Sequence, residues 1–377
     1  MKIMIQSEKK ITYFYYQGRE EKINDKKYSN EFFYGYKEAQ KHFKEINLVE
    51  VPKESPNSFL INIDKVFFKL TRIQFNLSKY LNKKIIFNVK NSDVLILTNF
   101  GMALSLTPLI SVLNLRRKKK IYAINSGLFN FHNANIIQNK LRYIYLKFFF
   151  KAITALVFTS KQEYLYAKEN YQKFQKNFVL KQYCCDFNFW DDQNSNNKLN
   201  KKYDLLFIGN DSGRDFELLI DLAKQLIDYR FCIVSNNQKL NVLNSLPNVD
   251  LISGNWSNSE FTDQDIKLLY LKSKITILPI RDTLVASGQS VTLQSMASGT
   301  PVLISNTKGF WDKDLFRDNI EIFFCKQDNV NEWTIKINTI LENQQILDNV
   351  AKNGQDLIQK KFDLPIFNDF FINLIKR

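Results

Sequence analysis

Arg281 to Ser305 reads RDTLVASGQSVTLQSMASGTPVLIS, and its order of residue types decides the fold. Ahead of it, Lys274-Ile275-Thr276-Ile277-Leu278-Pro279 is a short β-branched run ending at a proline, the pattern of a buried strand. Behind the loop, Val291, Leu293, Met296 and Ala297 fall at helical spacing, and Gly299 supplies the left-handed residue that commonly ends a helix. Pro301 then opens a second apolar run, Val302-Leu303-Ile304. Strand, loop, helix and strand in that order make one parallel crossover unit.

The loop holds Ser287, Gly288, Gln289, Ser290 and Thr292, all small or hydrogen-bonding. A helix amino end exposes unpaired backbone N–H groups and a partial positive charge, so it stabilises an anion without any lysine. Glycine lets backbone approach closely, and hydroxyls add donors. That chemistry suits a diphosphate. An ordinary capped helix in an α/β sheet is written with the same residue types, so these residues alone leave both readings open.

Outward from that stretch, strands and helices alternate along the whole chain, which predicts parallel sheets. The expected strands of the first half are Ile11–Tyr16, Leu48–Val51, Val94–Thr98, Ile121–Ile124, Ala155–Phe158 and Phe178–Leu180. The expected helices there run from near Asn30 and Glu31 to Phe43, from Ile63 to Leu81, from Leu104 to Leu115 and from Asn133 to Phe150. The polar, aperiodic run Asp191 to Asn197 reads as a linker, giving domains at 1–190 and 201–360, a linker at 191–200 and a terminal helix at 361–377 that packs back on the first domain. The second half restarts with Tyr203-Asp204-Leu205-Leu206-Phe207-Ile208-Gly209. Asn210 to Asp215 then turns into a helix, a second phosphate-type loop, with Arg214 able to form paired bonds to phosphate oxygens. It lacks the GxGxxG pattern, which disfavours dinucleotide redox chemistry.

At 377 residues the chain exceeds the usual single core. Its net charge of +15 points to a polyanionic partner: a membrane surface, a nucleic acid or a phosphorylated substrate. Four cysteines without a CxxC pair, and only His42 and His132, indicate neither a zinc site nor a disulfide framework, so no metal is expected. The first residues lack a signal-peptide pattern, and Tyr143 to Phe158 is too short and too broken by lysine to span a bilayer. A cytoplasmic protein is expected. Between Asn133 and Phe150, Lys140, Arg142 and Lys147 alternate with Tyr143, Tyr145, Phe148, Phe149 and Phe150, and Lys151 follows. An anionic membrane face suits that pattern, and so does a core-facing aromatic stripe with lysines pointing out.

With these residues in place, the sequence resembles the GT-B glycosyltransferases, in particular the group that includes the retaining family 4 enzymes. The resemblance is carried by Gly209 and Arg214, by Ser287 to Gln294, and by Met296-Ala297-Ser298-Gly299-Thr300-Pro301-Val302, with Cys185 to Trp190 like the segment before the interdomain crossing. It implies two Rossmann-like doubly wound domains facing across a cleft, an acceptor domain first and a nucleotide-sugar domain second. The implied donor-binding residues are Gly209, Arg214, Trp256, Ser287, Gly288, Gln289, Ser290, Thr292 and Gln294, with Arg214 stabilising the leaving group, Gln294 near the ribose and Trp256 near the base. Tyr34, Gly35, Asn99 and Gly101 are the acceptor-side candidates.

The expected reaction moves a sugar from a nucleotide-diphosphate sugar to a cell-surface glycan or lipid-linked precursor. It needs no cofactor or metal, and the resemblance favours retention. Backbone amides and an arginine meet the charge that grows on a diphosphate leaving group. Two departures stand out. Ala286 and Gln294 occupy the places of two glutamates that many members carry, and Asn125 and Ser126 stand where a histidine is frequent. An epimerase of the same fold, and a non-enzymatic polyanion-binding protein, are the alternatives; no recognition helix or RNA-binding signature supports a nucleic-acid partner.

Overall fold

The computed structural model describes residues 7–54, 58–116, 118–130, 134–192, 200–254, 261–326 and 328–377. The chain forms two units. Unit 1 comprises Met1–Asp25, Phe33–Gln182 and Asn368–Arg377, and unit 2 comprises Lys26–Phe32 and Tyr183–Phe367.

Unit 1 is built on β1 (Ser7–Tyr16), β2 (Phe43–Val51), β3 (Val94–Leu97), β4 (Lys120–Asn125), β5 (Ala155–Phe158) and β6 (Phe178–Leu180). Their order in the sheet is β2-β1-β3-β4-β5-β6, and every neighbouring pair is parallel. Unit 2 repeats the plan with β7 (Tyr203–Ile208), β8 (Phe231–Val234), β9 (Val249–Ile252), β10 (Ser273–Leu278), β11 (Val302–Ser305) and β12 (Phe323–Cys325), ordered β12-β11-β10-β7-β8-β9 and again all parallel. A parallel strand is covered on both faces, which is why β3 and β5 read as unbroken apolar runs and are buried at every residue. In unit 2, Leu219 and Leu222 of the helix Phe216–Gln225 and Trp333 and Ile337 of the helix Val330–Leu341 share one core with Leu205, Phe207, Ile275 and Ile277 of the strands.

In unit 2 the chain leaves β7 for β8 and β9 on one side, then returns to lay β10 on the other side of β7. The carboxyl ends of β7 and β10 are therefore the switch point at which doubly wound sheets bind ligands. Unit 1 has the corresponding point between β1 and β3.

Several expected elements differ from those observed, each for a local reason. The helix expected from Asn30 to Phe43 is a short turn at Glu31–Phe33 and a helix at Tyr36–His42. Tyr34 and Gly35 are both left-handed, at φ 48° and 79°, and no helix passes through two such residues. The strand expected at Leu48–Val51 starts at Phe43; at the sheet edge one face meets solvent, so the polar residues Lys44 and Glu45 belong to it. The helix expected over Ile63–Leu81 is Ser58–Thr71 and, separately, Leu77–Tyr80, divided by Arg72 at φ 59°. The expected domain boundary at 191–200 is displaced to Gln182/Tyr183. Cys185 is the reason: it bridges to Asp363, accepting from Leu364 N at 2.9 Å and donating to Phe362 O at 2.8 Å, which ties the stretch before Trp190 into unit 2. The second boundary falls inside the helix Leu364–Lys376, between Phe367 and Asn368, rather than at 361.

Glu163, at the start of the helix Lys161–Asn170, organises the loop after β4. Fully buried, it accepts from Gly127 N at 3.0 Å and from Asn125 Nδ2 and Phe129 N at 3.3 Å. Burial outweighs these donors and raises its carboxyl to about 7. The folded state then holds a proton that the unfolded chain releases above its ordinary value, so this contribution is full at acid pH and is lost as pH rises towards about 7. A shift of that size corresponds to about 3 kcal/mol. Thermal unfolding followed by calorimetry should show Glu163→Gln gaining on wild type as pH rises from about 5 to about 7.5; a constant difference across that window would refute the assignment.

Candidate functional site

The loops that follow β7 and β10 are joined directly. Arg214 and Ile280 form an antiparallel bridge, Asp215 N donates to Pro279 O at 2.9 Å, and Arg281 N donates to Gly213 O at 2.9 Å. Between them lies the Arg214 side chain, 3% exposed. A Cβ at Gly209 would overlap Arg214 Nε, and one at Gly288 would stand 2.9 Å from Arg214 Nη1, so the guanidinium occupies space that only glycine leaves open. Nη1 donates to Ser287 Oγ at 3.0 Å, Nη2 donates to Ile208 O at 3.2 Å, and Nε has no partner among the described residues. Asp211 stands 3.6 Å from Nη1 and also accepts from Ser287 Oγ. Burial pulls the Arg214 pKa down while the Asp211 carboxylate opposes that shift.

The helix Gln289–Ala297 starts at this guanidinium. Its first cap position is Gly288, at φ 81°, and no side chain caps it. Thr292 N makes the first turn's bond to Gly288 O at 2.9 Å, which leaves the preceding N–H groups of that turn without intrahelical acceptors. Thr292 is fully buried and its Oγ1 has no partner among the described residues. An orphaned guanidinium N–H on the loop after β7, and an orphaned hydroxyl in the first turn of the helix after β10, thus belong to the two elements that flank the switch point. Unpartnered buried polar groups are rare because each costs the free energy of a lost hydrogen bond, about 1–3 kcal/mol. An anion with several acceptor oxygens would supply what they lack.

Gln294 lies one turn further on and is also buried. Its Nε2 donates to Glu31 Oε1 at 2.9 Å, and its Oε1 accepts from Tyr270 Oη at 3.4 Å. Glu31, which belongs to unit 2 through the segment Lys26–Phe32, is fully buried. It accepts also from Trp190 Nε1 at 3.0 Å and from Asp186 N at 3.2 Å. Sequence reasoning did not single out Glu31, for no spacing pattern relates it to a residue 263 positions away.

Of the expected donor-site residues, Gly209, Arg214, Ser287, Gly288, Gln289, Ser290, Thr292 and Gln294 all lie on these two loops or the helix that follows. Trp256 lies outside the described residues. On unit 1, Asn99 caps the helix Phe100–Leu113 through Gly101 N at 2.8 Å and accepts from Tyr16 Oη at 3.1 Å, so Asn99 and Gly101 sit where β1 and β3 end side by side. Gly35 is differently placed: a Cβ there would stand 3.5 Å from Asn368 Oδ1 and 3.6 Å from Phe371, which makes it a packing glycine against the last helix. Tyr34 precedes it in the left-handed conformation. Among the described residues no group of three or more His, Cys, Asp or Glu side chains could hold a metal ion.

Residues 188–357 match the family model of glycosyl transferases group 1. Sucrose-phosphate synthase from Thermosynechococcus elongatus superposes with a TM-score of 0.70 at 13% identity, over 98% of both chains. A glycosyltransferase from Rickettsia africae gives 0.66 at 14% identity over 98% of both. The Anabaena protein Alr3699/HepE, solved in complex with UDP and glucose, gives 0.64 at 11% identity, covering 98% of this chain and 99% of its own. The comparison with curated proteins gives no match. With two parallel sheets of this order and these superpositions the chain has the GT-B fold, and its residues 188–357 form a glycosyl transferases group 1 domain.

Proposed function

We propose that this protein is a glycosyltransferase that takes a nucleoside diphosphate sugar as donor, seats its diphosphate between Arg214 and the start of the helix Gln289–Ala297, and passes the sugar to a glycan or lipid-linked acceptor at an anionic membrane surface. The observation that carries the donor reading is the pair of orphaned buried groups, Arg214 Nε and Thr292 Oγ1, beside an uncapped helix amino end. The same groups serve the chemistry. Cleaving the bond to a diphosphate transfers negative charge onto its bridging oxygen, and preorganised donors stabilise that charge more than they stabilise the ground state. Arg214 is the leaving-group residue in this reading, and the transfer needs no metal and no cofactor. The resemblance to retaining enzymes favours retention over inversion. Asp211 is the charge that the incoming diphosphate displaces from Arg214.

Support for the membrane part comes from two helices of unit 1. The helix Ile136–Ala152 buries Leu146, Phe149 and Phe150 and turns Ile137, Leu141, Ile144 and Phe148 outward. The helix Ser58–Thr71 exposes Phe59, Ile63, Val66 and Leu70. The two pack together, Phe67 against Tyr145 at 4.7 Å, with Gln138 Nε2 bonded to Lys69 O at 2.8 Å. Lys65, Lys69, Lys140 and Lys151 are exposed on the same helices. Apolar stripes flanked by lysine suit insertion at the headgroup level of an anionic bilayer. Arg142 is not part of that set, because it is buried and bonded to Asn139. No helix among the described residues is long and apolar enough to cross a membrane.

The complexes of the Anabaena neighbour with UDP and with UDP-glucose make these the first ligands to test, alongside GDP and ADP. By calorimetry, Arg214→Ala and Gly209→Ala should each weaken nucleoside diphosphate binding by about tenfold to a hundredfold, and Asp211→Asn should tighten it. Undiminished binding by Arg214→Ala, with the fold intact by circular dichroism, would remove this donor site. Transfer should persist in EDTA, and an altered sugar formed from donor alone would turn the reaction into an epimerisation. In flotation, the wild type should rise with anionic vesicles in low salt and not with neutral ones, and Ile144→Glu with Phe148→Glu should stay at the bottom; equal recovery of both proteins would dismiss the membrane part.

A further inference from the structure

Among the described residues Glu31 is a carboxylate with no cation in its shell: its partners are Gln294 Nε2, Trp190 Nε1 and Asp186 N. The segment that delivers it is fixed along its length within unit 2. Gln264 N donates to Lys27 O at 3.1 Å, and Ser29 N and Oγ donate to Asp263 Oδ2 at 2.9 and 2.8 Å. Asn30 N and Nδ2 donate to Asp186 Oδ2 at 3.0 and 2.6 Å. Glu31 is thus the end of an anchored segment that reaches the middle of the helix Gln289–Ala297.

We propose that Glu31 is a positioning residue of the donor site, fixing the Gln294 carboxamide so that its N–H side faces residue 31 and its carbonyl faces Tyr270. The inference rests on the reading of this helix as the donor site. A carboxamide presents donors on one side and an acceptor on the other, and reversing it costs little unless a neighbour accepts only. An ionised carboxylate is such a neighbour. The pairing also accounts for the residue type at 294. A glutamate there would set two carboxylates at hydrogen-bond distance, which could not both stay ionised. The carboxylate that the family resemblance led one to expect at 294 is supplied by residue 31, and residue 294 carries the amide that complements it.

Burial raises the Glu31 carboxyl to about 7, so the proposed device titrates near neutrality. The titratable groups facing it are Asp186, Asp263, Cys185 and Tyr270, none of them a cation at that pH. As pH rises through that value Glu31 becomes acceptor-only, and the orientation of Gln294 is enforced.

The test is a two-residue cycle read by calorimetric affinity for whichever of UDP, GDP and ADP binds the wild type most tightly, with thermal midpoints alongside. At pH 8, Gln294→Glu should weaken binding by about tenfold, the scale of one misplaced charge. Adding Glu31→Gln, which restores one amide and one carboxylate in exchanged places, should recover affinity to within about threefold. Between pH 6 and pH 8 the wild-type affinity should rise relative to Glu31→Gln; ionisation of the diphosphate is common to both and cancels. A double variant no better than Gln294→Glu, or Glu31→Gln with a lowered midpoint and an unchanged affinity profile, would overturn the inference and show a purely structural carboxylate. Failure of the wild type to bind any of the three nucleotides would instead remove the donor reading, and the inference with it.

Discussion

The guanidinium of Arg214 is a charge taken out of water at the junction of two loops, and the surrounding sequence is arranged to make that tolerable. Desolvating such a group costs several kcal/mol unless acceptors surround it. Here the acceptors are Ile208 O at the end of β7, Ser287 Oγ in the loop after β10, and the Asp211 carboxylate nearby. The space for it is made by Gly209 and Gly288. What the protein leaves unmade is as telling. Arg214 Nε and Thr292 Oγ1 remain without partners in a unit whose other buried polar groups on the same helix are satisfied, such as Ser295 Oγ, paired with Thr276 Oγ1 at 2.8 Å and bonded to Thr300 O at 2.9 Å. Arg214 follows β7 and Thr292 lies in the first turn of the helix after β10, the two strands at whose carboxyl ends the sheet topology expects a ligand.

What could be read from the sequence was what is local. Central parallel strands are buried on both faces and so announce themselves as apolar runs, as Val94–Leu97 and Ala155–Phe158 do. The edge strand β2 hides its first half because Lys44 and Glu45 face outward. Helix limits were misread at Tyr34 and Arg72, ordinary residues held in left-handed conformations that no composition rule assigns to them. The loops after β7 and β10 were legible because each is a contiguous stretch beside a recognisable strand. Glu31 was not, since a polar segment without periodicity gives no sign that it will be inserted into the unit formed by residues far along the chain.

The helix Ile136–Ala152 shows why its aromatic and basic residues permitted two readings. Leu146, Phe149 and Phe150 take the core side, as the core-stripe reading has it, whereas Ile137, Leu141, Ile144 and Phe148 take the outer side. A helix buried on one face needs only one apolar stripe. The second stripe, continued by Phe59, Ile63, Val66 and Leu70 on the helix packed beside it, contributes nothing to the core. Contiguous apolar surface of that kind in a folded protein marks a contact with something else. On the proposed reading that contact is an anionic surface, which the lysines beside the stripe favour over a neutral one and which would give the net charge of +15 a place to act.

The two departures from the family pattern have different consequences. At 294, replacing a carboxylate by an amide is compensated by a carboxylate brought from elsewhere, so the local charge is conserved while its position shifts by one side chain. At 286 there is an alanine, and the neighbouring Ser287 hydroxyl is already engaged with Arg214 and Asp211. A hydroxyl committed to both partners of an ion pair changes its allegiance when an anion displaces the carboxylate, since Asp211 would no longer accept from it. Ser287 then becomes free to donate to that anion. Binding of a diphosphate would in this way convert an internal triad into a ligand contact, with Arg214 held in place throughout by the Ile208 carbonyl and the two glycines. On the proposed reading, an arginine so fixed before the donor arrives need not reorganise when charge develops on the leaving group, and that preorganisation would be the source of its catalytic value.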